Sequence, residues 1–179
     1  MFIDMHSHTV ASDDSTATAE AYMKWINVLR KKNHQIDGVV FTEHRDFDFE
    51  INYDDLARQY NVVILKGAEV ETNCGHFLLY GVTERLTKQF NFRHINIDVE
   101  EFLKEVEAAG SIAVPCHPGR RFIGICDYID NGKDYSRIKT IELLNGGSNS
   151  EENAKAAKLM EEKGFHGIGG SDSHFVSSI

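Results

Sequence analysis

The chain has 179 residues, 41% hydrophobic and 26% charged, a composition that fits one ordinary globular domain over residues 1–179. Its formal net charge of −9 argues against an extended, nonspecific grip on nucleic acid, which needs clustered Lys and Arg. The start carries no basic segment followed by an apolar run, and no stretch approaches the ~18 apolar residues of a membrane span. The three cysteines, Cys74, Cys116 and Cys126, form no CxxC pair, and the expectation is a cytoplasmic protein with no membrane partner.

In chain order, "FIDMH" reads as a short buried strand. "TATAEAYMKWINVLRKKN" has helical spacing, with Ala19, Tyr22, Met23, Ile26 and Leu29–Arg30 turning one face inward. "DGVVFTEH" and "NVVILKGAEVET" are β-branched runs, and "HFLLYGV" follows the "NCG" turn. "DVEEFLKEVEAAG" is a helix with an acidic start and Gly110 as its stop, and "SIAVPCHPG" is a strand broken by its prolines. After an irregular "RRFIGICDYIDNGKDYSR" come the strand "IKTIELLN", the helix "SEENAKAAKLMEEKG" and a last short strand in "HGIGGSDSH". The alternation of strand and helix predicts an α/β fold with a largely parallel sheet. Roughly six strands is too few for an eight-fold barrel of ~250 residues, so a smaller or incomplete barrel is expected.

Nine histidines are present against one tryptophan and two prolines, and their positions matter more than their number. His6 and His8 alternate on a strand and therefore share a face. His44, Glu69, His117, Asp172 and His174 also fall at strand ends, where functional groups collect in α/β sheets. Each has a bland reading as a cap or turn residue. Their recurrence at successive strand ends favours a shared cation, because buried imidazoles and carboxylates need a partner.

The segments "HSHTVASDD", "FTEH", "GAEVET", "GHFLLYG", "PCHPGR" and "GGSDSH" together resemble the successive motifs of the PHP (polymerase and histidinol phosphatase) family, from residue 4 to residue 174. The resemblance implies a distorted, incomplete (β/α)7 barrel carrying two to three divalent ions and cleaving phosphoesters. It implies one ion at His6, His8 and Asp172, with Glu69 bridging to a second ion completed by His76 and His117. Asp13, His44 and His174 would hold a third. This nitrogen and oxygen donor set suits Mn²⁺, Fe²⁺ or Zn²⁺. Where many relatives read Ser-Asp-Gly, this chain has Ser12-Asp13-Asp14. Asp13 occupies the ligand position, and Asp14 is its substitute should the turn shift.

Around these residues, Glu71 shares the face of Glu69 and is a candidate hydrogen-bond acceptor beside the ligands. Cys116 is expected to point away from His117 into the core. Arg120 and Arg121 are candidate substrate-binding residues, clamping a phosphate that is not cleaved. Asn145 is a candidate pocket residue, and His34, His94 and His166 read as surface residues.

The leading functional expectation is a metal-dependent phosphoesterase acting through metal-activated water on a small phosphorylated metabolite, a nucleotide or a short oligonucleotide. Two alternatives stand beside it. One is a hydrolase of a different ester or an amide, and the other is a non-catalytic, metal-stabilised interaction module.

Overall fold

A computed structural model describes residues 1–179. It contains seven strands, β1 (Ile3–Ser7), β2 (Gly38–His44), β3 (Val63–Thr72), β4 (Gly75–Tyr80), β5 (Ile112–Pro115), β6 (Thr140–Asn145) and β7 (His166–Gly170). Five helices accompany them, α1 (Ala19–Lys31), α2 (Asp54–Tyr60), α3 (Glu84–Gln89), α4 (Val99–Ala108) and α5 (Ser150–Lys163). No helix is long and apolar enough to cross a membrane.

Local chemistry sets the helix ends. Thr18 caps α1 by accepting from the Ala21 N–H at 3.1 Å, and Tyr22, Met23 and Ile26 supply its buried stripe. Asn149 and Glu152 form a reciprocal capping box at the start of α5, and Gly164 ends that helix in the left-handed conformation. α2 and α3 were not expected from the sequence. Both are short, and α2 buries no residue, so neither shows a helical apolar period.

The strands form a five-stranded sheet in the order β1-β2-β3-β4-β5 and a two-stranded sheet β6-β7. The expectation of a largely parallel sheet needs correction. β1-β2-β3 and β6-β7 are parallel, but β4 runs antiparallel to both β3 and β5. The cause is the turn after Thr72, where Gly75 takes a φ of 101°, so a hairpin replaces a helical crossover. The result is a curled half-barrel, an incomplete barrel whose elements are not a regular βα repeat.

Strand alternation divides the side chains between two faces. On the outer face, Ala68, Val70, Phe77 and Leu79 join Leu86, Phe102 and Val106 in the larger core, while Val39 and Phe41 pack with Tyr22, Met23 and Ile26. On the inner face, Leu78, Val114 and Cys116 form a small cluster with Tyr80 and Ile168 against it. The chain after β7 returns to β1. The Asp172 N–H donates to His6 O at 2.8 Å and the His8 N–H donates to Ser173 O at 2.9 Å. These contacts carry the sheet's curl across the gap and bring the two ends of the chain to one place.

Candidate metal centre

Glu69 is the hub. It lies on the inner face of β3, 1% exposed, in register with His44 at the end of β2. Its Oε1 is 2.8 Å from His76 Nδ1 and 3.1 Å from His117 Nε2. Its Oε2 is 3.1 Å from His6 Nε2, 3.1 Å from His44 Nδ1 and 3.4 Å from His8 Nε2. Asp172 closes the cluster with Oδ1 at 3.4 Å from Nε2 of both His6 and His8.

A third group stands beside His8. The His8 ring stacks on His44 with centroids 4.0 Å apart and on His174 at 4.4 Å. His44 Nε2 and His174 Nε2 are 3.2 Å apart, and Asp14 Oδ2 is 3.3 Å from each. The residue expected here was Asp13. Its carboxylate is instead 81% exposed and 3.6 Å from the Arg45 guanidinium. The turn is pinned by Glu43, which accepts from Ser12 Oγ at 2.6 Å and Thr9 Oγ1 at 2.7 Å, and this swings Asp14 rather than Asp13 towards the two histidines.

Three strand ends turn sharply to make these approaches. Arg45 after β2, His117 after β5 and Asp172 after β7 all have positive φ, at 55°, 31° and 53°. Cys116 packs in the inner-face apolar cluster as expected, but the turn at His117 corrects the expectation that it points away from that histidine. Cys116 follows the inward-facing Val114 by strand alternation, and the abrupt φ at His117 brings the next side chain to the same side. Cys116 Sγ consequently lies 3.5 Å from Glu69 Oε1. In the absence of a cation, burial and the nearby Glu69 and Glu142 carboxylates push its thiol well above the ordinary range.

Sequence reading missed Glu142. This fully buried residue of β6 places Oε1 3.0 Å from His6 Nδ1, while Oε2 accepts from the His117 N–H at 2.7 Å and from Asn145 Nδ2 at 2.9 Å. A single charged residue inside the apolar run "IELL" was the available signal. Gly170 lies against the same pair. A Cβ there would overlap His6 Cβ and Glu142 Oε1, so the glycine is required by close approach.

The two arginines separate. Arg120 Nη2 donates to Asn145 Oδ1 at 2.9 Å, Asp172 Oδ2 at 3.0 Å and Ser148 Oγ at 3.3 Å, at the edge of the cluster. Arg121 is exposed and stacks over the Phe122 ring at 4.5 Å, away from these contacts, because the chain turns outward after Arg120. Glu71 lies beside His76, with its carboxylate 3.8 Å from Nε2 and 3.5 Å from Arg45 Nε. His34, His94 and His166 are exposed.

The electrostatics test whether a cation fits. With its Nδ1–H donated to Glu142, a neutral His6 aims the lone pair of Nε2 at the Glu69 and Asp172 carboxylates. Two anions facing a lone pair repel unless a proton or a metal ion lies between them. Burial lowers the pKa of His6, but Glu142 and Glu69 outweigh it and raise it well above the ordinary value. Burial likewise acts to raise Glu69 and Asp172, yet the surrounding histidines hold both below the usual carboxylate range. His117 goes the other way, lowered chiefly by burial. The His6–His8–Glu69–Asp172 and His8–His44–His174 groups each gather their donor atoms within 4.8 Å. Imidazole nitrogen and carboxylate oxygen in this number fit a borderline divalent cation.

Residues 150–179, which carry α5, β7, Asp172 and His174, match the family model described as PHP-associated. A protein from Bifidobacterium adolescentis assigned as a metal-dependent phosphoesterase has a similar structure, with a TM-score of 0.69 and 15% identity over 98% of this chain and 88% of that one. The two chains share a fold. A second similar structure is an amidohydrolase from Chromobacterium violaceum holding sulfate and no metal, with a TM-score of 0.69 and 17% identity over 97% of this chain and 88% of that one. The lesion-specific endonuclease Q of Pyrococcus furiosus gives a TM-score of 0.61 and 15% identity over 99% of this chain. The chain spans 50% of the length of that endonuclease chain. No curated protein sequence matches the chain.

Proposed function

We propose that this single-domain chain is a metal-dependent phosphoesterase that hydrolyses a small phosphorylated substrate. The observation that carries the reading is the convergence of His6, His8, His44, His76 and His117 on the Glu69 carboxylate, with Asp172, Asp14 and His174 around them. His6, His8, Asp172 and Glu69 would hold one ion. Glu69, His76 and His117 would hold a second, and His44, His174 and Asp14 a third. Mn²⁺, Fe²⁺ or Zn²⁺ bound there would supply a Lewis acid that polarises a phosphoryl oxygen and brings the pKa of water from ~15.7 towards ~7.

The chain's own residues do the positioning. Glu142 fixes the His6 ring with Nε2 facing inward, and Tyr22 holds the returning strand by donating to Ser173 O at 2.8 Å. Arg120 clamps Asp172 and leaves the rest of its guanidinium at the cluster edge for a phosphoryl oxygen. Cys116 is fully buried, with its sulfur 3.5 Å from Glu69 Oε1 and closed off from solvent, which disfavours a thiol mechanism. The net charge of −9 favours a compact substrate over a long duplex, while a short oligonucleotide remains within the same chemistry.

The experiment is a metal and substrate panel on the wild type and on the His6→Ala/His8→Ala double variant. Hydrolysis of p-nitrophenyl phosphate or a nucleotide by the Mn²⁺-, Fe²⁺- or Zn²⁺-loaded wild type, lost in the variant, supports the proposal. Turnover that survives the double substitution overturns the assignment of the site. Metal binding with no hydrolysis of any phosphoester favours an interaction module, and hydrolysis of carboxylic esters or amides alone favours the other hydrolase class.

A further inference from the structure

One of the three cysteines sits at the centre of the histidine cluster. Cys74 packs in the larger core, and Cys126 lies on the irregular segment between β5 and β6. Cys116, just past the end of β5, is fully buried with its sulfur 3.5 Å from Glu69 Oε1. Ligand atoms of Glu69, Cys116 and His117 all lie within 4.8 Å of one another. We infer that Cys116 is a ligand of the second ion, beside Glu69 and His117, so that this one position carries a sulfur donor. The inference rests on the metal-centre part of the proposed function and is independent of the substrate.

The contacts at Glu69 Oε1 favour an ion over a thiol that merely donates a hydrogen bond. His76 Nδ1 approaches this oxygen at 2.8 Å, His117 Nε2 at 3.1 Å and Cys116 Sγ at 3.5 Å. A carboxylate oxygen offers about two lone-pair sites, so three donors oversubscribe it. A cation on that oxygen accounts for the crowding, because nitrogen and sulfur then direct lone pairs at the metal. The spacing also suits neighbouring ligands. With Zn–S about 2.3 Å and Zn–O about 2.0–2.2 Å, tetrahedral coordination sets sulfur and oxygen roughly 3.5–3.7 Å apart.

His117 supplies an independent mark. It is 2% exposed, and its Nδ1 is buried with no hydrogen-bond partner. A neutral imidazole there either leaves the Nδ1 lone pair without a donor or turns the Nε2 lone pair on Glu69. A cation between Nε2 and Oε1 makes the second arrangement favourable. The turn at His117, with a φ of 31°, puts this ring and the Cys116 sulfur on the same side of the chain. Elsewhere the sulfur meets an apolar wall of Leu78 and Val114, so its polar contact is the Glu69 carboxylate.

On binding, the thiol proton passes to solvent and the sulfur electron pair to the ion. A thiolate suits Zn²⁺ better than Mn²⁺, whereas the nitrogen and oxygen positions beside it carry no such preference. The second position is therefore expected to select the softer metal.

Co²⁺ is the probe, since a thiolate bound to it gives a near-ultraviolet charge-transfer band that nitrogen and oxygen ligands do not. Wild type, Cys116→Ser and Cys74→Ala/Cys126→Ser are loaded with Co²⁺, and the bound metal is counted by elemental analysis. The band is expected in wild type and in the Cys74→Ala/Cys126→Ser protein, and its loss is expected in Cys116→Ser. Cobalt bound by wild type without the band removes Cys116 from the centre and leaves the centre standing. A band that survives in Cys116→Ser likewise overturns the inference, and a wild type that binds no cobalt overturns the metal centre with it. Loading from an equal mixture of Zn²⁺ and Mn²⁺ reads the selectivity. A lower zinc-to-manganese ratio in Cys116→Ser is expected, and an equal ratio overturns the preference. Should Cys116→Ser fail to fold, zinc-edge X-ray absorption of loaded wild type decides alone. A sulfur neighbour at about 2.3 Å supports the assignment, and a shell of nitrogen and oxygen only overturns it.

Discussion

Oε1 of Glu142 lies 3.0 Å from Nδ1 of His6, and neither side chain has any exposed surface. The pair fixes which His6 nitrogen faces the cluster and which faces away. Such carboxylate–histidine contacts typically change metal affinity by about 10–100-fold when removed. Glu142→Gln keeps the volume and removes the charge, so it is expected to weaken metal binding by that factor. Competition against a chromogenic chelator measures it, and wild-type affinity in the variant would count against the role given to Glu142.

Asp13 and Asp14 separate cleanly by substitution. Asp14 is 3.3 Å from both His44 and His174, whereas Asp13 faces Arg45 at the surface. Asp14→Ala is expected to lower bound metal by about one ion per chain, the ion assigned to His44, His174 and Asp14. Asp13→Ala is expected to leave the metal content as it is. Elemental analysis of the two purified variants decides between them, and the reverse pattern would restore Asp13 as the ligand.

Protein prepared without chelators is expected to carry about two to three divalent ions, one for each ion position proposed above. Removing them leaves Glu69, Asp172 and Glu142 buried together without their counter-charge. Ions present at ~100 times their dissociation constant add about 2.7 kcal/mol, so chelation should lower Tm by roughly 5–11 °C. Calorimetric scans with and without a chelator read this directly. A Tm indifferent to chelation would mean that the cluster binds no structural ion.

Far from the centre, Asp98 caps α4 by accepting from the Glu100 and Glu101 N–H groups at 3.1 Å, and Lys133 Nζ adds a contact at 2.9 Å. The backbone donors first, then Lys133, pull its pKa from 3.8 down to about 2. A depressed carboxylate stabilises the fold above its unfolded pKa, and that contribution disappears as pH falls through the folded value. Asp98→Ala should cost about 1 kcal/mol at pH 7. The gap from wild type should close between pH ~4 and ~2. Urea titrations at several pH values measure it, and a gap independent of pH would assign the loss to something other than the carboxylate.

The strands and the three longer helices were legible because their patterns run for several residues. The β-branched runs of β2 and β3, the Tyr22-Met23-Ile26 stripe of α1 and the capped ends of α5 each carry a signal of their own. The direction of β4 was harder to read. A strand has the same alternation whichever way it runs, and only the turn at residues 73–75 distinguishes hairpin from crossover. The histidines of the cluster stood out at strand ends, while their carboxylate neighbours were less visible. Glu142 contacts His6 across 136 positions, and no local pattern in "IELL" encodes a partner so distant. The choice between Asp13 and Asp14 depended on the shape of one turn, set by Glu43 from a different strand. Cys116 was misplaced because alternation was extended one residue past the point where the backbone leaves the strand.

The return of the chain from β7 to β1 also orders events in time. His6 and Ser171, 165 positions apart, are joined by a hydrogen bond, and Asp172 and His174 follow immediately. During synthesis the first histidines leave the ribosome long before their partners exist. Any nascent chain shorter than Asp172 presents Glu69 and its imidazoles as an open half-site, able to meet metal ions without enclosing them. The donor set is therefore complete only once the last strand has been made and has docked on the first. A truncation that removes these late residues would take the centre with it, however well the helices of the N-terminal half had already folded.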